Sequence, residues 1–360
     1  MKKILLSFAL IVGLLASAST LQAQNMSSYI TLTVKNGAAI KLNFRAAAAN
    51  TPVRIVSGTN TQDITVGANW YNGNYPSTYT VTASASTMTI YGDITDFDCQ
   101  YNRANLTALD ASHNTQLKYL NCYDNTLTSL DVSGCTQLTW LNCSYNNLSS
   151  LDVSKNIQLT SLGCSSNQLT SLDVSKNTQL ERLGCSSNQL TSLNVSKNTR
   201  LNKLFCSGNN FTTAALDRIY CALPAKMSSD GAQIFPLDES SSVAEQNMVA
   251  STNAANATAK NWRVLKFKVD GNHTDITTTG SYDCSTAVAE ASAEQALTLY
   301  PNPVADVLYL SSTARTIRVY NIDGIEVAHA TDTDRVEVSH LPAGVYTVKA
   351  DGTVAKMVKR

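Results

Sequence analysis

One stretch decides the fold: Leu117-Lys-Tyr-Leu-Asn-Cys-Tyr-Asp-Asn-Thr-Leu-Thr-Ser-Leu-Asp-Val132. Its leucines, cysteine and asparagine return in the same order along the chain, and each later cysteine follows the previous one by 21 residues (143 − 122 = 21), at Cys143, Cys164, Cys185 and Cys206. A looser copy, Ile94-x-x-Phe97-x-Cys99-x-x-Asn102, lies 23 residues upstream (122 − 99 = 23). A fixed period of this length predicts a solenoid with one turn per repeat.

The repeated pattern L-x-x-L-x-C-x-x-N-x-L is typical of a leucine-rich repeat with cysteine at one leucine position. We therefore predict a mostly β protein whose leucine-rich-repeat solenoid spans 91–211. Alternating apolar residues broken by Gly, Asn, Pro and Ser predict an all-β N-terminal cap at 24–90. Residues 212–270 are expected to be degenerate terminal repeats that form a C-terminal cap, 271–296 a linker, and 297–360 an Ig-like β-sandwich.

The N-terminus has the composition of a secretory signal peptide. Met1-Lys-Lys3 precedes the apolar run 4–16 and the small and polar residues that end at Gln24, which predicts a signal peptide at 1–23. No later stretch approaches the roughly 20 apolar residues of a membrane helix, so we expect no transmembrane helix in the mature protein. The 27 basic residues balance 27 acidic ones, which disfavours nucleic acid as a partner.

Six of the nine cysteines occupy one inward-facing repeat position: Cys99, Cys122, Cys143, Cys164, Cys185 and Cys206. Stacked strands lie about 4.8 Å apart, so these side chains are expected to form a buried ladder in which cysteine is a small apolar filler. Side chains in register point the same way and suit disulfide torsions poorly, which favours free thiols. The pairing of Cys135, Cys221 and Cys284 stays open.

Nothing in the sequence favours catalysis. The four histidines, His113, His273, His329 and His340, lack zinc-ligand spacing, and there is no nucleophile elbow or phosphate-binding loop. Burial makes the ladder cysteines poor nucleophiles. We therefore predict a protein that is not an enzyme and has no catalytic residue, metal or cofactor.

The outward residues of the repeated strands form what we call the concave face, by period-2 alternation with the buried leucine and cysteine. Its large or polar members are candidate ligand-binding residues: Tyr101, Tyr119, Tyr123, Trp140, Tyr145, Asn121, Asn142, Arg182, Lys203 and Phe205. Tyr and Trp are over-represented at energetically important interface positions. The competing interpretation is that the aromatic rings stabilise neighbouring repeats through cross-strand contacts.

The repeats resemble those of internalin J-like bacterial surface proteins, whose 21-residue units carry the same L-x-x-L-x-C-x-x-N-x-L-x-x-L-D-V-S pattern. That resemblance implies adhesion or recognition of an extracellular protein of a host or neighbouring cell. The residues themselves leave two alternatives open. A row of aromatic rings beside Asn121, Asn142 and Asp124 also suits a surface glycan. The other alternative is a structural envelope component.

The C-terminal segment resembles the sorting domain of the type IX (Por) secretion pathway. The matching features are Tyr300-Pro-Asn-Pro303, Asn321-x-x-Gly324, Leu341-x-x-Gly344-x-Tyr346-x-Val348 and Lys356-Met-Val-Lys-Arg360. This resemblance implies that residues 297–360 engage the type IX machinery. It also implies a protein that is secreted by, or anchored on the outer surface of, a Gram-negative bacterium.

Overall fold

The structure, a computed structural model, describes residues 24–68, 78–284, 299–300, 303–322, 325–350 and 353–360. The predicted signal peptide and residues 285–296 of the predicted linker lie outside these residues. The chain divides into two compact units, Met1–Tyr282 and Asp283–Arg360. Each unit has a hydrophobic core of its own.

The described residues of the N-terminal cap form six strands: β1 (Tyr29–Val34), β2 (Ala39–Ala46), β3 (Thr51–Ser57), β4 (Asn60–Val66), β5 (Tyr79–Thr82) and β6 (Thr87–Tyr91). In β2 the residues Ile40, Leu42, Phe44 and Ala46 are buried and the residues between them are more exposed. This alternation gives the strand one apolar side for the core.

The solenoid follows, with β7 (Ile94–Asp98), β8 (Leu106–Asp110), β9 (Tyr119–Asn121), β10 (Ser129–Asp131), β11 (Trp140–Asn142), β12 (Ser161–Gly163), β13 (Arg182–Gly184) and β14 (Lys203–Phe205). Strands β7, β9 and β11 to β14 pair in parallel, one per repeat. The central leucines, such as Leu141 and Leu162, lie in register and are buried. The repeat period therefore forms a parallel ladder whose inner side is apolar.

Strands of the cap extend the sheets on both sides of the solenoid. Strand β2 pairs antiparallel with β7 at the end of the parallel ladder. On the opposite side, β1 pairs antiparallel with β8, which pairs in parallel with β10. The Asn102 side chain completes the junction, since its Oδ1 accepts from the Lys41 N–H at 2.8 Å and its Nδ2 donates to the Lys41 carbonyl at 2.9 Å. The apolar end of the first repeat is thus covered by a sheet fused to it.

After the last regular repeat come α1 (Thr213–Ala222), a 3₁₀ turn (Ser228–Asp230), β15 (Ala232–Leu237), α2 (Val243–Ala250), α3 (Ala255–Thr258), β16 (Trp262–Lys266) and β17 (Thr274–Asp275). Helix α1 begins after Thr212, whose side chain accepts from the Ala215 N–H. Strands β15 and β16 extend the parallel ladder, and β17 closes it as an antiparallel edge.

Residues 274–282 differ from the predicted linker. The N–H of Ile276 donates to Val264, that of Thr279 donates to Ala250, and the amide of Asn253 donates to the Tyr282 carbonyl. This segment contains few apolar residues because it forms an edge strand and lies on the surface. Its order comes from backbone hydrogen bonds that composition does not reveal.

The second unit contains β18 (Leu299–Tyr300), β19 (Val307–Tyr320), β20 (Glu326–Glu337), β21 (Gly344–Ala350) and β22 (Thr353–Lys359). The strands form one hydrogen-bonded sheet, in the order β18-β19-β21-β22 with β20 on the long strand β19. Its core includes Leu308, Ile317, Val348 and Met357. The predicted mostly β fold class, with a leucine-rich-repeat solenoid and a β-rich C-terminal region, is confirmed. The Ig-like β-sandwich at 297–360 stays a prediction.

Two ladders of side chains run through the solenoid. The six cysteines at the repeat position are buried with free thiols, as is Cys135, whereas Cys221 and Cys284 are disulfide-bonded. The repeated asparagines bridge turns. Asn167 donates to the carbonyls of Cys143 at 3.0 Å and Cys164 at 3.1 Å, and its Oδ1 accepts from the Leu148 N–H at 3.0 Å. The asparagines thus satisfy backbone groups that the bend leaves unpaired.

Candidate ligand-binding face

Strand register fixes the rows of the concave face. Tyr119, Trp140, Ser161, Arg182 and Lys203 are successive register partners on β9 and β11 to β14. A second row, on the same strands, runs Asn121, Asn142, Gly163, Gly184 and Phe205. Side chains from neighbouring repeats therefore stand about 4.8 Å apart, the spacing of paired strands.

The five aromatic residues predicted at the N-terminal end lie in two groups on this face. The rings of Tyr119 and Trp140 are stacked, with centroids 4.2 Å apart and planes 6° from parallel. The Tyr123 ring lies between Tyr101 and Tyr145, at 5.5 Å and 5.1 Å from their centroids. We call these five residues the aromatic patch. Burial and the neighbouring phenols raise the pKa of Tyr123 above its ordinary value, so this side chain is uncharged at neutral pH.

Two tyrosines of the patch have unusual backbone conformations. Tyr101 has a φ of 62° and Tyr145 a φ of 58°, in the left-handed region, yet their rings are 55% and 53% exposed. The equivalent positions of other repeats also have positive φ and carry small or turn-forming residues: Asp124, Ser166, Ser187 and Gly208. A bulky residue in this conformation is strained by roughly 1–2 kcal/mol. These exposed rings thus occupy positions where glycine would be more stable.

Asn121 is a correction to the predicted contact set. Its side chain is on the concave face but is only 5% exposed, and its Nδ2 donates to Asp98 at 3.2 Å. Asp98 also accepts from the N–H and side-chain amide of Gln100, both at 3.0 Å. Burial raises the pKa of the Asp98 carboxyl. Asn121 therefore supports a buried carboxyl group and offers a ligand little surface.

The remaining predicted residues lie on β11, β13 and β14. Asn142, Lys203 and Phe205 are half-buried and Arg182 is exposed. The guanidinium carbon of Arg182 lies 4.6 Å from the Phe205 ring centroid, a cation–π contact. Asn142 lies beside Trp140 on β11, whereas Lys203 and Phe205 on β14 are separated from the aromatic patch by the small residues of β12 and β13.

The sequence did not indicate the second aromatic cluster. Phe205 stacks on Phe235 with centroids 4.6 Å apart, and the Phe267 ring meets both edge-on at 5.7 Å. The repeat frame is lost after Phe211, so register alone shows that Phe235 follows Phe205. The run Gln233–Leu237 indicates a strand from its sequence. It does not indicate that this strand pairs with β14.

A depression of about 430 Å³ lies between the aromatic patch and the cluster of Phe205, Phe235 and Phe267. Its floor is formed by Gly163, Gly184 and serines, and it is bounded by Trp140 and Tyr145 on one side and by Phe205 and Phe267 on the other. Ser207 closes one corner by donating to Asp238 at 2.6 Å. The volume of this depression is that of a small-molecule binding pocket.

The structure offers no nucleophile among the ladder thiols. Burial raises the pKa of Cys143 and Cys185 to about 12 and raises the pKa values of the other ladder cysteines well above the ordinary value of a thiol. Within the described residues, no three His, Cys, Asp or Glu side chains cluster as metal ligands. Nor does any described helix have the length and apolar character to span a membrane.

The C-terminal part of the chain matches a known protein family. Residues 298–360 match the secretion-system C-terminal sorting domain. That segment covers all of β18 to β22. Together, the repeat ladder and this domain make the chain an exported leucine-rich-repeat protein. No curated protein matches the chain.

Similar solved structures include an internalin of Listeria monocytogenes, 27% identical over 31% of this chain and 35% of that chain, with a TM-score of 0.30. A leucine-rich-repeat protein of Leptospira interrogans is 27% identical over 30% of each chain, with a TM-score of 0.28. The functional domain of InlJ from L. monocytogenes, which includes a cysteine ladder, is 20% identical over 73% of this chain and 76% of that one, with a TM-score of 0.32. The chain spans about a third of the length of the first two. The leucine-rich-repeat assignment itself rests on the strand ladder of this chain.

Proposed function

We propose that this protein is displayed at the cell surface or secreted, and that its concave face binds an extracellular protein of a host or neighbouring cell. The observation that carries the proposal is the conformation of Tyr101 and Tyr145. Both rings are more than half exposed on residues with positive φ, so they lower stability without being buried. Strain retained at exposed residues is typical of functional sites.

The rest of the aromatic patch supports this proposal. Tyr119, Tyr123 and Trp140 are held in place by ring contacts with their neighbours. Rigid aromatic side chains lose little conformational entropy on binding and are enriched among the residues that dominate interface energetics. Arg182, beyond the depression, adds an exposed cation at which an acidic group of the partner can bind.

The proposed route to the surface is the type IX pathway, with residues 297–360 engaging its machinery. We expect the chain to lose surface display and accumulate in the periplasm when 297–360 are deleted. Surface display of the deleted chain would contradict this assignment. Because the sorting unit has a separate core, the deletion leaves the core of the repeat unit intact.

The binding proposal is tested by passing the purified mature chain over an array of extracellular proteins, with the Tyr101→Ala protein in parallel. We expect a partner that binds the wild type and is lost or weakened in the variant. Since the Tyr101 ring is exposed and its backbone strained, the substitution leaves the fold intact. Capture that is equal for both proteins would contradict a role for the aromatic patch.

A further inference from the structure

We propose that the depression in the middle of the concave face binds the ring of a neutral sugar, between Trp140 and the Arg182–Phe205 pair. This site goes beyond the recognition of a protein by the aromatic patch. It is centred on β12 and β13, whereas the patch is centred on β7, β9 and β11.

Flat side chains form the two walls of the depression. Tyr119 covers one face of the Trp140 ring, so the other face looks towards β12, where the register partner is the small Ser161. On the far side, Arg182 lies over Phe205, which stacks on Phe235. The row of flat side chains therefore has a gap at β12, where Ser161 is small. Two strand spacings, about 10 Å, separate the backbones of β11 and β13, which leaves room for one ring.

Gly163 and Gly184 form the floor of the depression. They are register partners, and neither has a positive φ, so the backbone conformation does not require glycine at either position. A Cβ added at Gly163 would meet the Asn142 Oδ1 at 2.9 Å, so the neighbouring side chain accounts for glycine there. A Cβ added at Gly184 would meet the Ser165 Oγ at 3.4 Å, an ordinary contact. Glycine weakens a strand, and in strands it often marks a place where a ligand approaches closely. Gly184 is thus explained by a ligand that rests on the strands.

Two neutral polar groups line the depression beside Trp140. The Ser144 hydroxyl is on a residue only 7% exposed; it accepts from the Ser165 N–H at 3.1 Å and donates to no atom of the described residues. The Asn142 Oδ1 accepts from the Ser144 N–H at 3.1 Å, and its amide nitrogen has no partner in the described part of the chain. Each of these two groups is a neutral donor available to a ligand in the depression.

These three features together select the ligand class. An aromatic side chain would use the Trp140 face but would desolvate the open donors of Ser144 and Asn142 without replacing their hydrogen bonds. A phosphate or carboxylate would need more cationic partners than Arg182, which lies on Phe205. A sugar ring has an apolar face for Trp140 and hydroxyl groups around its edge for the donors. The volume of about 430 Å³ lies within the roughly 300–1,000 Å³ of small-molecule sites.

The test uses the mature full-length chain and a panel of uncharged sugars: methyl glycosides of glucose, galactose and mannose, N-acetylglucosamine, N-acetylgalactosamine, and disaccharides of these units. Binding is followed by saturation-transfer NMR and calorimetry, with N-acetyltryptophanamide as the aromatic comparison. Gly184→Leu fills the depression from its floor. Ser192→Leu is the matched control, because it adds the same side chain at an exposed position of the same repeat, outside the lining of the depression.

We expect at least one sugar to bind the wild type and Ser192→Leu equally and to bind Gly184→Leu at least about tenfold more weakly, a loss of roughly 1.4 kcal/mol. Tyr101→Ala should retain sugar binding, so failure of the protein-binding proposal and failure of this one are separable. The proposal is overturned if no sugar of the panel binds the folded wild type. It is also overturned if Gly184→Leu, folded by circular dichroism, binds like the wild type, or if only N-acetyltryptophanamide binds.

Discussion

The rings of Tyr119 and Trp140 lie flat against each other, 4.2 Å apart and 6° from parallel, on residues that are register partners of neighbouring strands. This is the geometry of a stabilising cross-strand pair. The contact also fixes the orientation of the Trp140 ring, so that its second face is available to a ligand that approaches the concave face. Stabilising the repeats and binding a ligand are therefore compatible roles of one contact, and they are separated by measuring them independently.

The stabilising role predicts a coupling between the two rings. Tyr119→Ala and Trp140→Ala should each lower the free energy of unfolding, and the double variant should lower it by about 1 kcal/mol less than the sum of the two, because the stack is lost only once. Denaturant unfolding of the four proteins measures this coupling. Additive losses would show that the rings lie side by side without stabilising the fold.

The backbone at Tyr145 predicts opposite effects on stability and binding. Because Tyr145 has a φ of 58°, Tyr145→Gly should be more stable than Tyr145→Ala by about 1 kcal/mol, while both should lose affinity for the protein partner. Ser166, at the same repeat position with a φ of 54°, is the control. There the glycine variant should again exceed the alanine variant in stability, with protein binding retained. Equal stabilities of Tyr145→Gly and Tyr145→Ala would rule out the strain.

The cysteines predict thiol counts that differ between states. Burial raises the pKa of Cys143 and Cys185 to about 12, so almost no thiolate forms below pH 9 and the native protein should not react with Ellman's reagent. Unfolding without reductant should release seven reactive thiols per chain, and adding reductant should raise the count to all nine cysteines. A count of five or fewer in the unreduced, unfolded protein would mean disulfides within the ladder.

The asparagine ladder predicts large effects from a residue with no catalytic or binding role. Asn167→Ala removes two buried donations to Cys143 and Cys164 and leaves the Leu148 N–H unsatisfied, so we expect a loss of about 3 kcal/mol in the free energy of unfolding. Asn147→Ala, at an exposed position, should change it by less than about 0.5 kcal/mol. Similar effects of the two substitutions would contradict the account of the ladder.

The repeat period was sufficient to predict the solenoid, because the spacing of leucine and cysteine fixes both the strand and its inward side. Alternation also placed Trp140 on the outward side, whereas Tyr145 follows the inward Cys143 by two residues and is exposed because of its positive φ beyond the strand. It did not predict the burial of Asn121, because the direction of a side chain does not reveal how far its neighbours enclose it. Nor did it reveal the site at Gly163 and Gly184, since small residues indicate a depression only once the walls are known.

The C-terminal repeats show a different limit. Phe205 and Phe235 are 30 residues apart in the chain (235 − 205 = 30) because a helix is inserted between their strands, so the period cannot align them. Their stacking is a tertiary contact that only strand register establishes. The segment 274–282 shows the same limit, since its hydrogen bonds to Val264 and Ala250 come from backbone groups that any sequence possesses.

The measurement that tests the central claim most directly is the affinity of the captured extracellular protein for the wild type, Trp140→Ala and Ile157→Ala. Ile157 is 50% exposed in the same repeat unit but lies outside the parallel strands, so it controls for loss of an exposed apolar side chain. We expect Trp140→Ala to weaken binding by at least about 2 kcal/mol, some thirtyfold, with the fold retained and Ile157→Ala unchanged. Equal affinities of the wild type and Trp140→Ala would contradict recognition through the concave face.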